Sequence, residues 1–175
     1  ENPGRILVGA HYGIPFGFGG HSMYAWASGD GGRTWTGQRI PAPRFDGELA
    51  ADVVVSFARA GALYTFLFAD STKVKGGGIA VARSTDGGQS FPPAIQVVPG
   101  DSAHGASDKE WIAVDRSPAS PFQHSVYLTW SYKDFAHRVN GLIPSDVSLA
   151  VSRDGGATFS PSRRIADDGS FAQIG

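Results

Sequence analysis

The sequence predicts an all-β chain built from repeated four-stranded antiparallel sheets, and three observations carry that prediction. One short phrase occurs three times: Ser-Gly-Asp-Gly-Gly-Arg-Thr-Trp from Ser28 to Trp35, Ser-Thr-Asp-Gly-Gly-Gln-Ser-Phe from Ser84 to Phe91, and Ser-Arg-Asp-Gly-Gly-Ala-Thr-Phe from Ser152 to Phe159. The aspartates stand 56 (Asp30 to Asp86) and 68 (Asp86 to Asp154) residues apart, and self-similarity at such intervals marks a repeat architecture. Between the phrases helical periodicity is nearly absent. Short apolar runs are instead broken by Gly, Pro, Asp and Ser, the pattern of strands joined by tight turns.

The phrase itself is hairpin chemistry. An Asp side chain bonds backbone N–H groups ahead of it, two glycines accept positive φ, and the trailing aromatic opens the return strand and packs back over the turn. The structural residues of the three copies are therefore Ser28, Asp30, Gly32 and Trp35; Ser84, Asp86, Gly88 and Phe91; and Ser152, Asp154, Gly156 and Phe159. Metal binding at these turns is not expected, because none continues with the spaced carboxylates a calcium loop needs.

Aligned on the phrase, the chain falls into units of four strands. The first unit has Arg5–Tyr12, Tyr24–Ser28 and Thr34–Ile40, with nothing upstream to serve as its first strand. The second has Asp52–Phe57, Ala62–Ala69, Gly78–Ser84 and Phe91–Val98; the third has Trp111–Asp115, Ser125–Ser131, Val147–Ser152 and Thr158–Ala166. Phe171–Gly175 reads as the opening of a further first strand. Four-stranded antiparallel units repeated radially are the blades of a β-propeller. The chain thus divides, as one segment over 1–175, into a partial blade at 1–40, blades at 52–98 and 108–166, and the start of another at 171–175. That is about three blades of a six- or seven-bladed propeller. Closure takes about four blades or more. The balance is expected from the remaining blades of a longer chain, since open sheet edges are normally covered. Self-association is the other route, Phe171–Gly175 of one copy completing the first unit of another.

Composition sets bounds on function. A net charge of −1 and the lack of a basic stripe argue against nucleic acid as a partner. No apolar run reaches the length of a transmembrane helix, so a membrane partner is not expected, and the first residues carry no signal-peptide pattern. With no cysteine, neither disulfide nor thiolate chemistry is available. The glycine-rich stretches open hairpins and not helices, so no phosphate-cradling loop and no cofactor is expected.

Strand order separates two edges of each blade. The phrases are third-to-fourth turns, on the edge shared with the first-to-second turns. The other edge collects the second-to-third loops (Gly13–Ser22, Asp70–Gly77 and Tyr132–Asp146) and the inter-blade connections (Pro41–Ala51 and Pro99–Glu110). Loops on a rigid scaffold are where binding and catalysis concentrate. Candidates on that edge are His11, Tyr12, His21, Arg44, Asp46, Glu48, Asp52, His104, Asp108, Lys109, Glu110, Lys133, Asp134, His137 and Arg138. Asp52 and the Asp108-Lys109-Glu110 group, at the start of inner strands, are expected to border the central channel. Trp26, Trp35, Trp111 and Trp130 lie on expected strands and read as packing between blades; Trp111, bordering the channel mouth, is also a sugar-stacking candidate.

The thrice-used phrase resembles the Asp-box of the sialidase-like (BNR-repeat) β-propellers, and it sits where that family carries it, between the third and fourth strands. Ser107-Asp-Lys-Glu-Trp-Ile-Ala-Val-Asp115 and Val126-Tyr-Leu-Thr-Trp130 resemble the first and second strands of bacterial members. The resemblance covers almost the whole chain. It implies a glycan or other ligand at the channel mouth and an extracellular, secreted or periplasmic location. Catalytic members bind the substrate carboxylate with three arginines, use a Tyr activated by a Glu as nucleophile, and use an Asp as acid/base. Their arginine signature, Phe-Arg-Ile-Pro, lies on an inner strand before the first box. Here Gln38-Arg39-Ile40-Pro41 follows the first box on an outer strand, so no role transfers to Arg39. Asp46, Asp52 and Tyr12 remain catalytic candidates by loop location. Arg44, Asp108, Lys109, Glu110, Trp111 and Arg138 are substrate-binding candidates. Three readings follow: a glycoside hydrolase of exo-sialidase type or part of one, a non-catalytic propeller used for binding or scaffolding, and a self-assembling ring.

Overall fold

A computed structural model of the chain describes residues 4–12, 22–41, 48–58, 61–70, 78–100 and 105–166, with the backbone alone at 12, 48–50 and 67–70. Among these residues there is no helix, and three antiparallel sheets account for the strands. The first holds β1 (Ile6–Tyr12), β2 (Ser22–Ser28) and β3 (Thr36–Arg39), in that order. The second holds β4 (Glu48–Phe57), β5 (Ala62–Asp70), β6 (Gly78–Ser84) and β7 (Ile95–Val98). The third holds β8 (Gly105–Val114), β9 (Val126–Asp134), β10 (Ser145–Ser152) and β11 (Arg163–Ala166). Within each sheet every strand pairs with its neighbours in sequence, the meander that short turns dictate.

The three phrases fold alike. In each, both glycines take positive φ: Gly31 and Gly32 at 75° and 89°, Gly87 and Gly88 at 80° and 93°, Gly155 and Gly156 at 71° and 91°. The serine hydroxyl donates to the aspartate and accepts from the amide of the second glycine (2.9, 2.8 and 2.7 Å for Gly32, Gly88 and Gly156). The aspartate then accepts the amide and hydroxyl of Thr34, Ser90 or Thr158, closing the corner.

The sheets pack face to face through two apolar seams. Met23, Ala25 and Ile40 of the first sheet meet Tyr64, Phe66, Ala80 and Phe91 of the second. Leu63, Ile79 and Val81, from the opposite face of the second sheet, meet Ile112, Leu128, Trp130 and Ala150 of the third. The alternation along β5 explains this: Tyr64 and Phe66 point one way and Leu63 the other, as the two-residue period requires. The register also makes Leu7 and Leu63 equivalent, each one residue after the partner of the phrase's serine (Ile6↔Ser28, Ala62↔Ser84). Each leucine abuts the second glycine of the following phrase. A Cβ on Gly88 would lie 3.0 Å from Leu7 Cδ1, and one on Gly156 would lie 2.5 Å from Leu63 Cδ2.

Four expectations need correction. First, β4 and β8 begin earlier than Asp52 and Trp111, at Glu48 and Gly105, because each continues through a β-bulge that the sequence disguises as a loop. The Asp108-Lys109-Glu110 group therefore lies inside a strand and not in a connection. Second, β3, β7 and β11 are short, four residues each; β3 starts directly after Trp35, but β7 and β11 start four residues after Phe91 and Phe159. Third, Trp35 is 44% exposed: its indole Nε1 donates to Gly32 O and the ring lies over its own turn, outside the seam. Fourth, Trp111 is 52% exposed, whereas Trp130 is buried. The strand expected at Phe171–Gly175 lies outside the described residues.

Candidate functional site

The first strands of the second and third sheets share a local irregularity. Pairing of β4 with β5 skips between Ala51 and Val54, and pairing of β8 with β9 skips between Asp108 and Trp111. Two residues of the longer strand oppose one across the ladder, so each strand bends. In both bulges the first extra residue adopts a left-handed conformation, Asp52 at φ 46° and Lys109 at φ 53°. Non-glycine residues pay of order 1 kcal/mol or more for this. Asp52 and Lys109 are thus equivalent, and so are the next residues, Val53 and Glu110.

Neighbouring bulges are tied by charge. Lys109 Nζ lies 3.5 Å from Asp52 Oδ2, and Lys133 on β9 pairs with Asp108. Both pairs are partly exposed, a setting in which ion pairs contribute little stability.

Glu110 differs from its surroundings. Val53 packs into the first seam with Tyr64, Val55 and Phe57, and a Cβ on Gly9 would lie 2.9 Å from it. At the equivalent place in the next seam stands a carboxylic acid, 3% exposed, both of whose oxygens are covered and lack a hydrogen-bond partner. Its own amide N–H is close enough to act on the carboxyl yet completes no sound hydrogen bond with it. Burial pushes the Glu110 pKa up to about 8, and the charges of Asp52 and Asp108 add to the effect, while its own amide and Lys109 oppose it. The group is therefore mainly a neutral acid at pH 7. Tyr64 is its neighbour in the field: burial raises the phenol well above the usual range, and the Glu110 charge raises it further. The Tyr64 hydroxyl lies 3.0 Å from both Ala10 O and Tyr24 O, so this second-sheet side chain is pinned to the first sheet.

Of the other candidates, Arg138 lies in the β9–β10 loop and donates to Gly141 O, while Asp134 accepts from Ala136 N and meets His137 Nδ1 at 2.8 Å. Trp111, directly after the bulge, presents an exposed ring. Arg39 is on β3, the last strand of its sheet. Tyr12 ends β1 with only its backbone described, as for Glu48 at the start of β4, and His21, Arg44, Asp46 and His104 lie outside the described residues. Among the described residues no group of three or more His, Asp or Glu is placed to hold a metal ion, and no helix is long and apolar enough to cross a membrane. Sequence reasoning grouped Glu110 with Asp108 and Lys109 and gave it no distinct status. The signal was the parity of β8, which puts Glu110 on the buried side with Ile112 and Trp111 on the other.

Neither a family model nor a curated protein matches this chain. Solved structures do. An α-L-arabinofuranosidase mutant of Fusarium graminearum, in complex with an iminosugar inhibitor, aligns with 93% of this chain at a TM-score of 0.65 and 12% identity. The GH93 α-L-arabinofuranosidase of the same organism with arabinobiose aligns with 95% at 0.62 and 12%. An α-L-arabinanase of Penicillium chrysogenum complexed with arabinobiose aligns with 97% at 0.57 and 12%. These are β-propeller glycoside hydrolases, and at such identity the likeness is one of fold. The chain spans 45%, 46% and 47% of the lengths of those three structures.

Proposed function

We propose that this chain forms part of a β-propeller glycoside hydrolase whose general acid is Glu110. The observation that carries the reading is the buried, unpartnered Glu110 carboxyl beside the ion-paired carboxylates of Asp52 and Asp108. Glycosidic cleavage uses two carboxyl groups in unlike environments, one holding a proton for the leaving oxygen and one ionised. A pKa of about 8 keeps the Glu110 proton available at neutral pH. Asp52, half-buried at the neighbouring bulge and paired with Lys109, is the second carboxyl group, and Trp111 supplies a flat apolar ring for sugar stacking. Both Glu110 oxygens are covered, so this role requires the bulge to shift and uncover one when substrate seats.

The ligand is a glycan at the channel mouth, and a neutral arabinose-type glycan fits better than a sialoside. Of the described cations there, Lys109 and Lys133 are ion-paired with Asp52 and Asp108, and Arg138, which donates to Gly141 O, is a single guanidinium where a sialoside site uses three. The fold's likeness to arabinofuranosidases and an arabinanase supports the same choice. A glycan-polymer substrate goes with an extracellular or periplasmic location.

A second reading, glycan binding without hydrolysis, is favoured by the complete cover over Glu110. Turnover of fluorogenic α-L-arabinofuranosides and sialosides by the full chain, wild type against Glu110→Gln, separates the readings. Arabinofuranoside turnover falling by about 100-fold or more in kcat, with KM nearly unchanged, is expected. Sialoside turnover would restore the exo-sialidase reading, and binding with no turnover would establish the second.

A further inference from the structure

A cavity of about 310 Å³ opens on the opposite edge, where the Asp-Gly-Gly corners lie, between the second and third sheets. Its lining includes Arg83, Ser84, Gln123, His124, Arg153 and Asp154. Two guanidinium groups therefore face one small space, each pinned by a single hydrogen bond. Arg83 Nε donates to Gly155 O at 3.1 Å, and Arg153 Nη1 donates to Ser125 Oγ at 3.0 Å while its Cζ sits 4.8 Å above the Phe122 ring. The remaining N–H groups of both have no acceptor among the described residues. Asp154 lines the same space but makes no ion pair with either, its oxygens accepting from Ser152, Ala157 and Thr158 of its own corner.

His124 adds an independent observation. It lines the cavity with a left-handed backbone, φ 71°, and a strained backbone held beside a cavity is a pointer to binding. The volume is at the lower end for small-molecule sites and exceeds what a bare ion fills.

We infer that this cavity binds a small organic anion, its carboxylate or phosphate held between Arg83 and Arg153. Guanidinium groups recognise both oxyanions through paired N–H donors, and neutral sugars offer them only uncharged, weaker hydroxyl acceptors. The site is separate from the inner-strand bulges and stands whether or not the chain is a hydrolase.

Titration calorimetry on the full chain tests this with glucuronate, glucose 6-phosphate, inorganic phosphate and neutral glucose. Binding of glucuronate or glucose 6-phosphate but not glucose is expected, weakened about tenfold or more by Arg153→Gln and abolished by Gln123→Trp, which fills the space. The stronger of the two sugars identifies the oxyanion. Inorganic phosphate binding as tightly as either sugar overturns the inference, as does equal binding of glucose or anion binding untouched by both variants. Thermal melts of each variant identify any that has not folded, and Arg83→Gln then replaces it.

Discussion

Glu110 links chemistry to stability. Its pKa is about 8 when folded and near the ordinary 4.5 when unfolded, so between those values the folded chain holds a proton that the unfolded chain has released. The proton's stabilising contribution is complete below about 4.5 and is lost as pH rises to about 8. Glu110→Gln removes that dependence. Its melting temperature is expected to match wild type at pH 4 and exceed it at pH 8, the gain being on the order of a few kcal/mol at about 1.4 per pKa unit. A gap that does not widen with pH would show that Glu110 is not a buried neutral acid. The corner aspartates behave oppositely. Hydrogen bonds led by the Thr34 amide pull Asp30 down to about 2, and at Asp86 partial burial pushes up but hydrogen bonds from Ser84 and Ser90 outweigh it, again giving about 2. Their contribution is present above the usual carboxylate range and is lost as pH falls towards 2, so acid unfolding should begin at the corners. Asp154→Ala removes three accepted amide or hydroxyl bonds at one corner together with the Ser152 contact, and is expected to cost about 1–2 kcal/mol in urea melts.

At the scale of elements, what the sequence disclosed and what it hid follow one rule. The corners were legible because positive φ falls on glycines, and glycine pairs are visible in a sequence. The bulges were not, because the same conformation falls on Asp52 and Lys109, which read as ordinary polar loop residues. That is why β8 looked as though it began at Trp111. The exposure of Trp35 and Trp111 was hidden for another reason: an aromatic on a strand reads as core until the parity of the strand and the path of its indole N–H are known. For the site, the sequence placed Asp52 and Glu110 near one edge but could not separate a covered acid from an ion-paired one. The bulges supply a direct check. Asp52→Asn, tolerant of the left-handed region, should leave stability within about 0.5 kcal/mol of wild type. Asp52→Val, β-branched in that region, should cost about 1–2 kcal/mol. Equal melting of the two variants would mean that the backbone there is not constrained.

For the molecule as a whole, cohesion lies in the seams. Gly156→Ala meets both a φ of 91° and the Leu63 side chain at 2.5 Å, whereas Gly32→Ala meets only its φ of 89° and an ordinary 3.4 Å contact. The first is expected to cost about 2–4 kcal/mol and the second about 1–2. Adding Leu63→Ala should erase the difference, and denaturant melts of the four variants measure it. Tyr64→Phe, which frees Ala10 O and Tyr24 O, should cost about 1–2 kcal/mol. The leucine-over-glycine contact also has a consequence for how the chain comes apart. The first sheet roofs the corner of the second and the second that of the third, and among the described residues the first and third share no major interface. Amide exchange should therefore begin in the two flanking sheets and move inward, like fraying in a stack of cards, with the middle one last to lose protection.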